Sequence, residues 1–452
     1  MFPVRDRLRL LGLVLVLAGC VLFSVRGYRD QITTLQSFDF KPVYSGARCL
    51  LDGCDPYDSA VLRGEFLAHG GPASDLRPFR PFNANYPPSA LALVVPLALL
   101  PFGPAHVLWL CLSAALFSIA SLLVAAWCLA WLAERGATVN LAFAVVLAGF
   151  VATSTMLLML AQPAGVALGL LGIAVWCLLR GRFVVLAVLM FGLSLTLKPH
   201  LGALVWLFFL AARRPAAGAP GDAGARLLYR RRALQVAVAT VVISLPGLVW
   251  ASVQPASAHW PAELRRNLAG IAAHGNASDP GPANDEAHDI TNLQAVFSVM
   301  RDEPRLYNAA TYAVCAVLFG AWLTLLVKRP ATPERDLLGV AVAAGLTLLP
   351  LYHRQYDTRL LLLTFPAAAM LLARAGRTGW VALAFTAVGA VVTTHNFPHW
   401  MARMIPQAPS RWVLLLCFRA MPLVVLLLTC FYLVCLARQS KVGGIVRRIS
   451  SI

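Results

Sequence analysis

Long uninterrupted apolar runs, separated by short polar or basic connections, dominate this chain. Runs near 8–27, 105–133, 139–157, 162–180, 183–197, 199–213, 232–252, 307–327, 336–351, 359–374, 379–394 and 412–437 approach the roughly 20 residues that a bilayer-spanning helix needs. The pattern predicts an all-α polytopic membrane protein, a bundle of about twelve transmembrane helices. The runs are continuous rather than alternating, which excludes a β-barrel. The stretch 87–101 is also apolar, but it is short, opens with Pro87-Pro88 and closes at Pro101-Phe102-Gly103-Pro104. It reads as a re-entrant or interfacial helix, because a full crossing there would reverse every later connection. Two larger polar segments remain, 28–104 and 253–306, and a third, 214–231, is rich in Ala, Gly and Arg and reads as a flexible basic linker. Residues 1–452 form a single integral membrane domain, with no internal repeat of the kind that marks transporters with duplicated halves.

Charge orients the bundle. The basic connections are Arg5, Arg7 and Arg9 at the start, Arg180-Gly181-Arg182, the segment from Arg213 to Arg232, Lys328-Arg329, Arg374 to Arg377, and Lys441, Arg447 and Arg448 in the tail. Twelve crossings place all of them on the cytoplasmic side, as the positive-inside rule requires. The two larger polar segments then lie outside, in a multi-pass protein of the inner (plasma) membrane. Composition agrees: the 452 residues are 59% hydrophobic and 13% charged, too apolar for a soluble fold of this size. The net charge of +18 is that of a membrane protein facing anionic lipid, and implies no nucleic acid. Eight of the ten cysteines fall in apolar runs, where cysteine behaves as a small hydrophobe. Cys49 and Cys54 fall in the first external segment, where either a disulfide or two free thiols is compatible with the spacing. Leu17-Ala18-Gly19-Cys20 mimics a lipoprotein cleavage box, but the apolar run continues through Val25, as in an uncleaved first helix.

With this orientation, unusual polar residues collect at the external face. Asp39, flanked by Phe38 and Phe40, follows the first helix. A carboxylate partly withdrawn from water has a raised pKa and serves as a general base; the plainer alternative is a helix N-cap or an ion pair with Lys41 or Arg48. Asp55-Pro56 suits a turn. The run from Arg77 through Phe82 to Tyr86-Pro87-Pro88 returns the chain to the membrane and presents Asn85 and Tyr86 either to a headgroup or as an interfacial anchor. Gln162-Pro163 and Lys198-Pro199-His200 end two helix pairs on the same side. Lys198 has apolar neighbours in both directions, which makes it a functional candidate able to neutralise a phosphate, unless it only snorkels. Tyr352-His353-Arg354-Gln355-Tyr356-Asp357-Thr358-Arg359 is the densest polar cluster between two apolar runs. His353 and Arg354 are phosphate donors there, with Arg359 in reserve. In the second segment, 260–273 reads as an amphipathic surface helix and the run from Gly275 to Glu286 as mobile. His395 and His399 lack an apparent third metal ligand and read as interfacial residues.

Taken together, Asp39, Tyr44-Ser45-Gly46-Ala47-Arg48, Gly53, Asp55-Pro56-Tyr57, Tyr86-Pro87-Pro88, Gln162 and Lys198-Pro199 resemble glycosyltransferase family 87, whose members have the GT-C membrane fold. Two departures stand out. The family often has glycine before the glutamine, where this chain has Ala161, and a late Ser-Trp-His-His type segment is replaced by Tyr352 to Asp357. The resemblance implies a transferase that moves a hexose, mannose in the first instance, from a polyprenyl-phosphate donor to a lipid or glycan acceptor at the external face, with inversion. It implies Asp39 as catalytic base; the residues themselves then assign Lys198, His353 and Arg354 to the donor phosphate and Tyr44, Arg48, Tyr86, Gln162 and Asp357 to substrate, a scheme that requires no metal or other cofactor. A lipid or glycan transporter or flippase, and a ligase moving whole glycans, share the same topology and remain open at this point.

Overall fold

The computed structural model describes residues 4–34, 38–76, 82–212, 223–329, 332–374, 376–405 and 410–439, without the side chains of Thr34 and 223–228. Arg77 to Pro81, the linker residues 214–222 and the basic tail from Lys441 lie outside these. Among the described residues the protein is all-helical, without strands. In chain order the helices are α1 (Val4–Thr34), α2 (Phe40–Asp52), α3 (Ser59–Ala68), α4 (Pro88–Ala92), α5 (Val95–Ala98), α6 (Phe102–Leu132), α7 (Ala137–Ala152), α8 (Met156–Met159), α9 (Pro163–Arg180), α10 (Val184–Leu197) and α11 (Pro199–Ala211). There follow α12 (Ala223–Val253), α13 (Trp260–Ile271), α14 (Gln294–Met300), α15 (Pro304–Lys328), α16 (Pro333–Thr347), a 3₁₀ segment Gln355–Thr364 running into α17 (Phe365–Ala373), α18 (Arg377–Val392), α19 (Asn396–Met404), α20 (Arg411–Val413) and α21 (Ala420–Ala437).

Eight of the described helical segments are long and apolar enough to cross a membrane, and nine if the pair α18 and α19, bent by 79°, forms one span. This is fewer than the twelve expected from the apolar runs. The physical reason is length: α10, α11 and α16 have 14, 13 and 15 residues and fall short of the usual span. The chain is a multi-pass membrane protein. Among the candidate spans the most enclosed are α9 and the segment Gln355–Ala373, while α12 and α15 turn mostly apolar, exposed faces outward, as lipid-facing helices do.

The stretch 87–101 is broken into α4 and α5, of five and four residues, so neither reaches across a bilayer. The α4 backbone comes so near α12 that a Cβ at Gly247 would lie 2.8 Å from the Pro88 carbonyl oxygen. A small residue there lets the two backbones meet. Gly19 does the same for α1, which continues unbroken through Cys20: a Cβ would lie 2.6 Å from the Ala148 carbonyl oxygen of α7. The linker expected at 214–231 is already helical from Ala223, because Ala, Leu and Arg are good helix formers and extend α12 backwards. The surface helix expected at 260–273 is present as α13. The run from Gly275 to Glu286, expected to be mobile, is instead knotted by its own side chains. Asp279 accepts from the Gly275 and Gly281 amides at 2.7 and 2.9 Å, and Asn284 donates to the Asp279 carbonyl at 2.7 Å.

Candidate active site

Five helix ends converge on one cavity of about 580 Å³. The turn after α1 brings Asp39, the N-terminus of α9 brings Gln162, the α10–α11 junction brings Lys198, the return before α4 brings Tyr86, and the 3₁₀ segment brings Arg354, Tyr356 and Asp357. These residues are separated by up to 318 positions in sequence, from Asp39 to Asp357, and only the fold joins them.

Asp39 occupies the N-cap position of α2, but its side chain makes no capping bond. Neither cation named as its alternative partner is committed to it: Lys41 Nζ lies 3.1 Å from Asp75 and Arg48 Nη2 3.2 Å from Asp52. Its backbone N–H donates to the Leu160 carbonyl at 3.3 Å, which ties it to the turn before α9, and its carboxyl is hydrogen-bonded by the Gln162 side chain. Burial pushes the carboxyl above the usual carboxylate range. The charges of Arg354 and Lys198 and the Gln162 bond oppose that shift, and Asp357 adds to it. The result is a carboxylate outside every ion pair of the cavity and more basic than usual.

Gln162 owes its position to an unusual turn. Ala161 has φ +50°, in the left-handed region where glycine is favoured. Its carbonyl accepts from Trp109 Nε1 at 2.9 Å, its N–H donates to Leu158 at 2.9 Å, and the Gln162 N–H donates to Leu157 at 2.9 Å. The family's glycine at this position therefore has a conformational reason. Strain from alanine costs about 1–2 kcal/mol, but glycine would lose a buried methyl worth about 0.8 kcal/mol and about 0.4–1 kcal/mol of chain entropy. These nearly cancel. Ala161→Gly is expected to keep thermal stability within about 1 kcal/mol and to retain activity. Ala161→Val, β-branched at positive φ, is expected to lower both; melting curves and turnover of the two variants check this.

The cationic side of the cavity is a buried network around Asp357. Lys198 Nζ lies 3.0 Å from Asp357 Oδ1, with the Tyr356 ring 5.1 Å from the ammonium. Asp357 Oδ2 accepts from His353 Nδ1 at 3.2 Å and from the Arg354 amide at 3.3 Å. Arg354 reaches over to Glu286 at 2.7 Å and to the Ala277 carbonyl at 3.0 Å, pinning the second long loop beside the site, and its Nε has no partner. The same loop pairs with this segment through the Thr291 amide and the His353 carbonyl, 2.9 Å apart. His200, His353 and Asp357 offer three ligand atoms within 4.8 Å. The Lys198 ammonium already supplies positive charge to that carboxylate, so the trio suits an ion-pair network better than a cation.

Not every expected residue reaches the cavity. His353 is fully buried behind Asp357, which it bonds, so it supports the cationic wall from behind and does not face a ligand. Tyr44 and Arg48 point elsewhere: the Tyr44 hydroxyl donates to the Leu100 carbonyl at 2.7 Å and Arg48 Nη1 to the Ala98 carbonyl at 2.9 Å. They satisfy orphan carbonyls at the end of α5, a capping role, and are withdrawn from substrate contact. Arg359 is buried against Phe150 and donates to the Phe150 and Thr393 carbonyls, so it is structural. Cys49 and Cys54, at the C-terminal end of α2, are joined by a disulfide and do not line the cavity. Glu286 and Tyr352, both in the cavity wall, were not singled out from sequence as site residues. Tyr352 stood in the polar cluster before Asp357, a usable signal; nothing local marks Glu286, whose role depends on a loop contact 68 residues away.

A cavity lined by the helix ends of a membrane protein, with one acid outside its ion pairs beside buried cations, is a candidate group-transfer site. Comparison with protein families gives the class a family: glycosyltransferase family 87 matches residues 84–351. That is more than half of the chain, and the protein belongs to this family: it is a membrane glycosyltransferase. The match contains Tyr86, Gln162 and Lys198; Asp39 precedes it, and His353, Arg354 and Asp357 follow within a few residues. No curated protein and no solved structure matches the chain.

Proposed function

We propose that the enzyme transfers a hexose, mannose in the first instance, from a polyprenyl-phosphate donor to a hydroxyl group of a lipid or glycan acceptor, with inversion at the anomeric carbon. The observation that carries this reading is the pairing pattern of the cavity: Lys41, Lys198 and Arg354 each have a carboxylate, and Asp39 belongs to none of these pairs. Asp39 takes the proton of the acceptor hydroxyl as its oxygen bonds to the anomeric carbon. The bond from that carbon to the donor phosphate oxygen breaks, and polyprenyl phosphate leaves with the electron pair. Lys198, held by Asp357, and Arg354, held by Glu286, offset the growing charge of the leaving group. Gln162 orients Asp39, and Tyr86 lines the acceptor side. A β-linked donor then gives an α-linked product.

We place the site on the external face of the plasma membrane. Two features support this. Helix order puts the cavity at the opposite end of the helices from Arg180–Arg182, Lys328–Arg329 and Arg374–Arg377, the basic connections that the positive-inside rule assigns to the cytoplasm. The Cys49–Cys54 disulfide, at the far end of the helix that Asp39 precedes, also suits an oxidising compartment. A donor already carried on a polyprenyl tail fits a face where nucleotide sugars are absent. The test uses the full chain purified in detergent, with radiolabelled polyprenyl-phosphate mannose and a lipid extract as acceptor source. Labelled glycolipid formed without a membrane gradient is the expected result. Transfer only from a nucleotide sugar, or only from a lipid carrying a whole oligosaccharide, overturns the donor assignment.

A further inference from the structure

A second cavity, of about 360 Å³, shares a wall with the transfer site. The loop that contributes Ala277 and Glu286 to the first cavity contributes Asn284, Asp285 and His288 to the second. The opposite side comes from His399 on α19 and from the π-helical turn Leu414–Phe418 with Arg419. None of the residues placed in the transfer chemistry lines it.

Arg419 is the feature that asks for a ligand. It is 4% exposed, it lines this cavity, and its Nε and Nη1 have no hydrogen-bond partner. The buried carboxylate whose charge it feels, Asp279, is committed elsewhere, to the Gly275 and Gly281 amides and to His274 at 3.3 Å. Asp285 on the rim is exposed to solvent. A buried guanidinium without a counter-charge is costly, and a planar fork of N–H donors matches the oxygens of a phosphate. Its surroundings indicate where the phosphate comes from. α19 turns 79° away from α18 and carries exposed Trp400 and Met404, while Trp412 and Leu416 are exposed in the stretch leading to Arg419. Exposed tryptophans beside apolar side chains sit at the headgroup level of a bilayer.

We infer that this cavity binds the phosphate group of a membrane lipid, separately from the transfer site, with Arg419 as its anchor and His288 and His399 at its mouth. The full chain in non-ionic detergent is titrated calorimetrically with dihexanoyl phosphatidic acid, dihexanoylglycerol and inorganic phosphate. Saturable binding of the phosphatidic acid is expected, with dihexanoylglycerol silent and inorganic phosphate weaker than the lipid. Arg419→Gln is expected to weaken the lipid's binding at least tenfold. Arg419→Lys, which keeps the charge but not the fork, should weaken it less and serves if the glutamine variant does not fold. The variant Lys198→Ala, altered only in the transfer cavity and on an element that does not touch the second one, should retain this binding. Unchanged affinity in a folded Arg419 variant, or loss of all saturable binding in Lys198→Ala, overturns the site. Inorganic phosphate binding as tightly as phosphatidic acid overturns the lipid assignment.

Discussion

Asp39→Asn is expected to lower kcat by about 10²–10⁴-fold, the usual contribution of a positioned general base, while the protein still folds and binds donor. Asparagine keeps the shape and accepts the same hydrogen bond from Gln162, but it cannot take a proton at neutral pH. The pH dependence carries the same signature. Because burial raises the carboxyl pKa of Asp39, the acid limb of kcat/KM lies above the ordinary aspartate range: activity falls as pH drops through that raised value. The stability effect has the opposite sign. A carboxyl with a raised folded-state pKa contributes most to stability below its unfolded pKa, and that contribution is lost as pH rises through the folded one. At neutral pH the native Asp39 is therefore a cost, and the Asn variant is expected to melt no lower than the parent. Comparable turnover by a folded Asn variant removes Asp39 as base; an inactive variant that melts far lower would mean a structural role instead.

The gathering of polar residues at one end was legible because a membrane helix carries a simple vector. Once each apolar run is given a direction, Asp39, Gln162, Lys198 and Asp357 must share a face, and the cavity confirms that they also share a space. Distances along that face were not legible. Tyr44 and Arg48 sit within three turns of Asp39 on α2, yet their side chains run to the end of α5, because five- and four-residue helices leave carbonyls that need donors. His353 and Arg354 are neighbours in sequence, but the 3₁₀ turn sends one behind Asp357 and the other over it to Glu286. Apolar runs likewise report hydrophobicity better than length: α10 and α11 read as crossings, and each is shorter than a typical span. The glutamine turn shows the converse. A departure from the family's glycine looked like a weakness in the resemblance, but the backbone at Ala161 retains the left-handed conformation that explains the glycine.

Lys198→Ala is expected to reduce kcat by about 10²–10³-fold, comparable to losing one donor of a preorganised charge-stabilising site, and to raise the KM for donor while leaving that for acceptor unchanged. Its ammonium, 3.0 Å from Asp357 and nearly fully buried, is already desolvated and fixed, so little reorganisation is needed when a leaving phosphate gathers charge. Asp357→Ala tests the other half of the pair. It strands a buried ammonium and removes the anchor of His353 and of the Arg354 amide, a loss of about 3–5 kcal/mol by comparison with other buried pairs broken from one side. The Asp357 variant should thus be recognised first by its melting temperature, and the Lys198 variant first by its kinetics. Removing both groups leaves no unpaired ion, so the double variant Lys198→Ala/Asp357→Ala should recover stability relative to Asp357→Ala without recovering activity, a coupling that a double-mutant cycle reads directly. An effect of Lys198→Ala confined to the acceptor KM would transfer the lysine to the acceptor side and leave Arg354 as the principal group facing the donor phosphate.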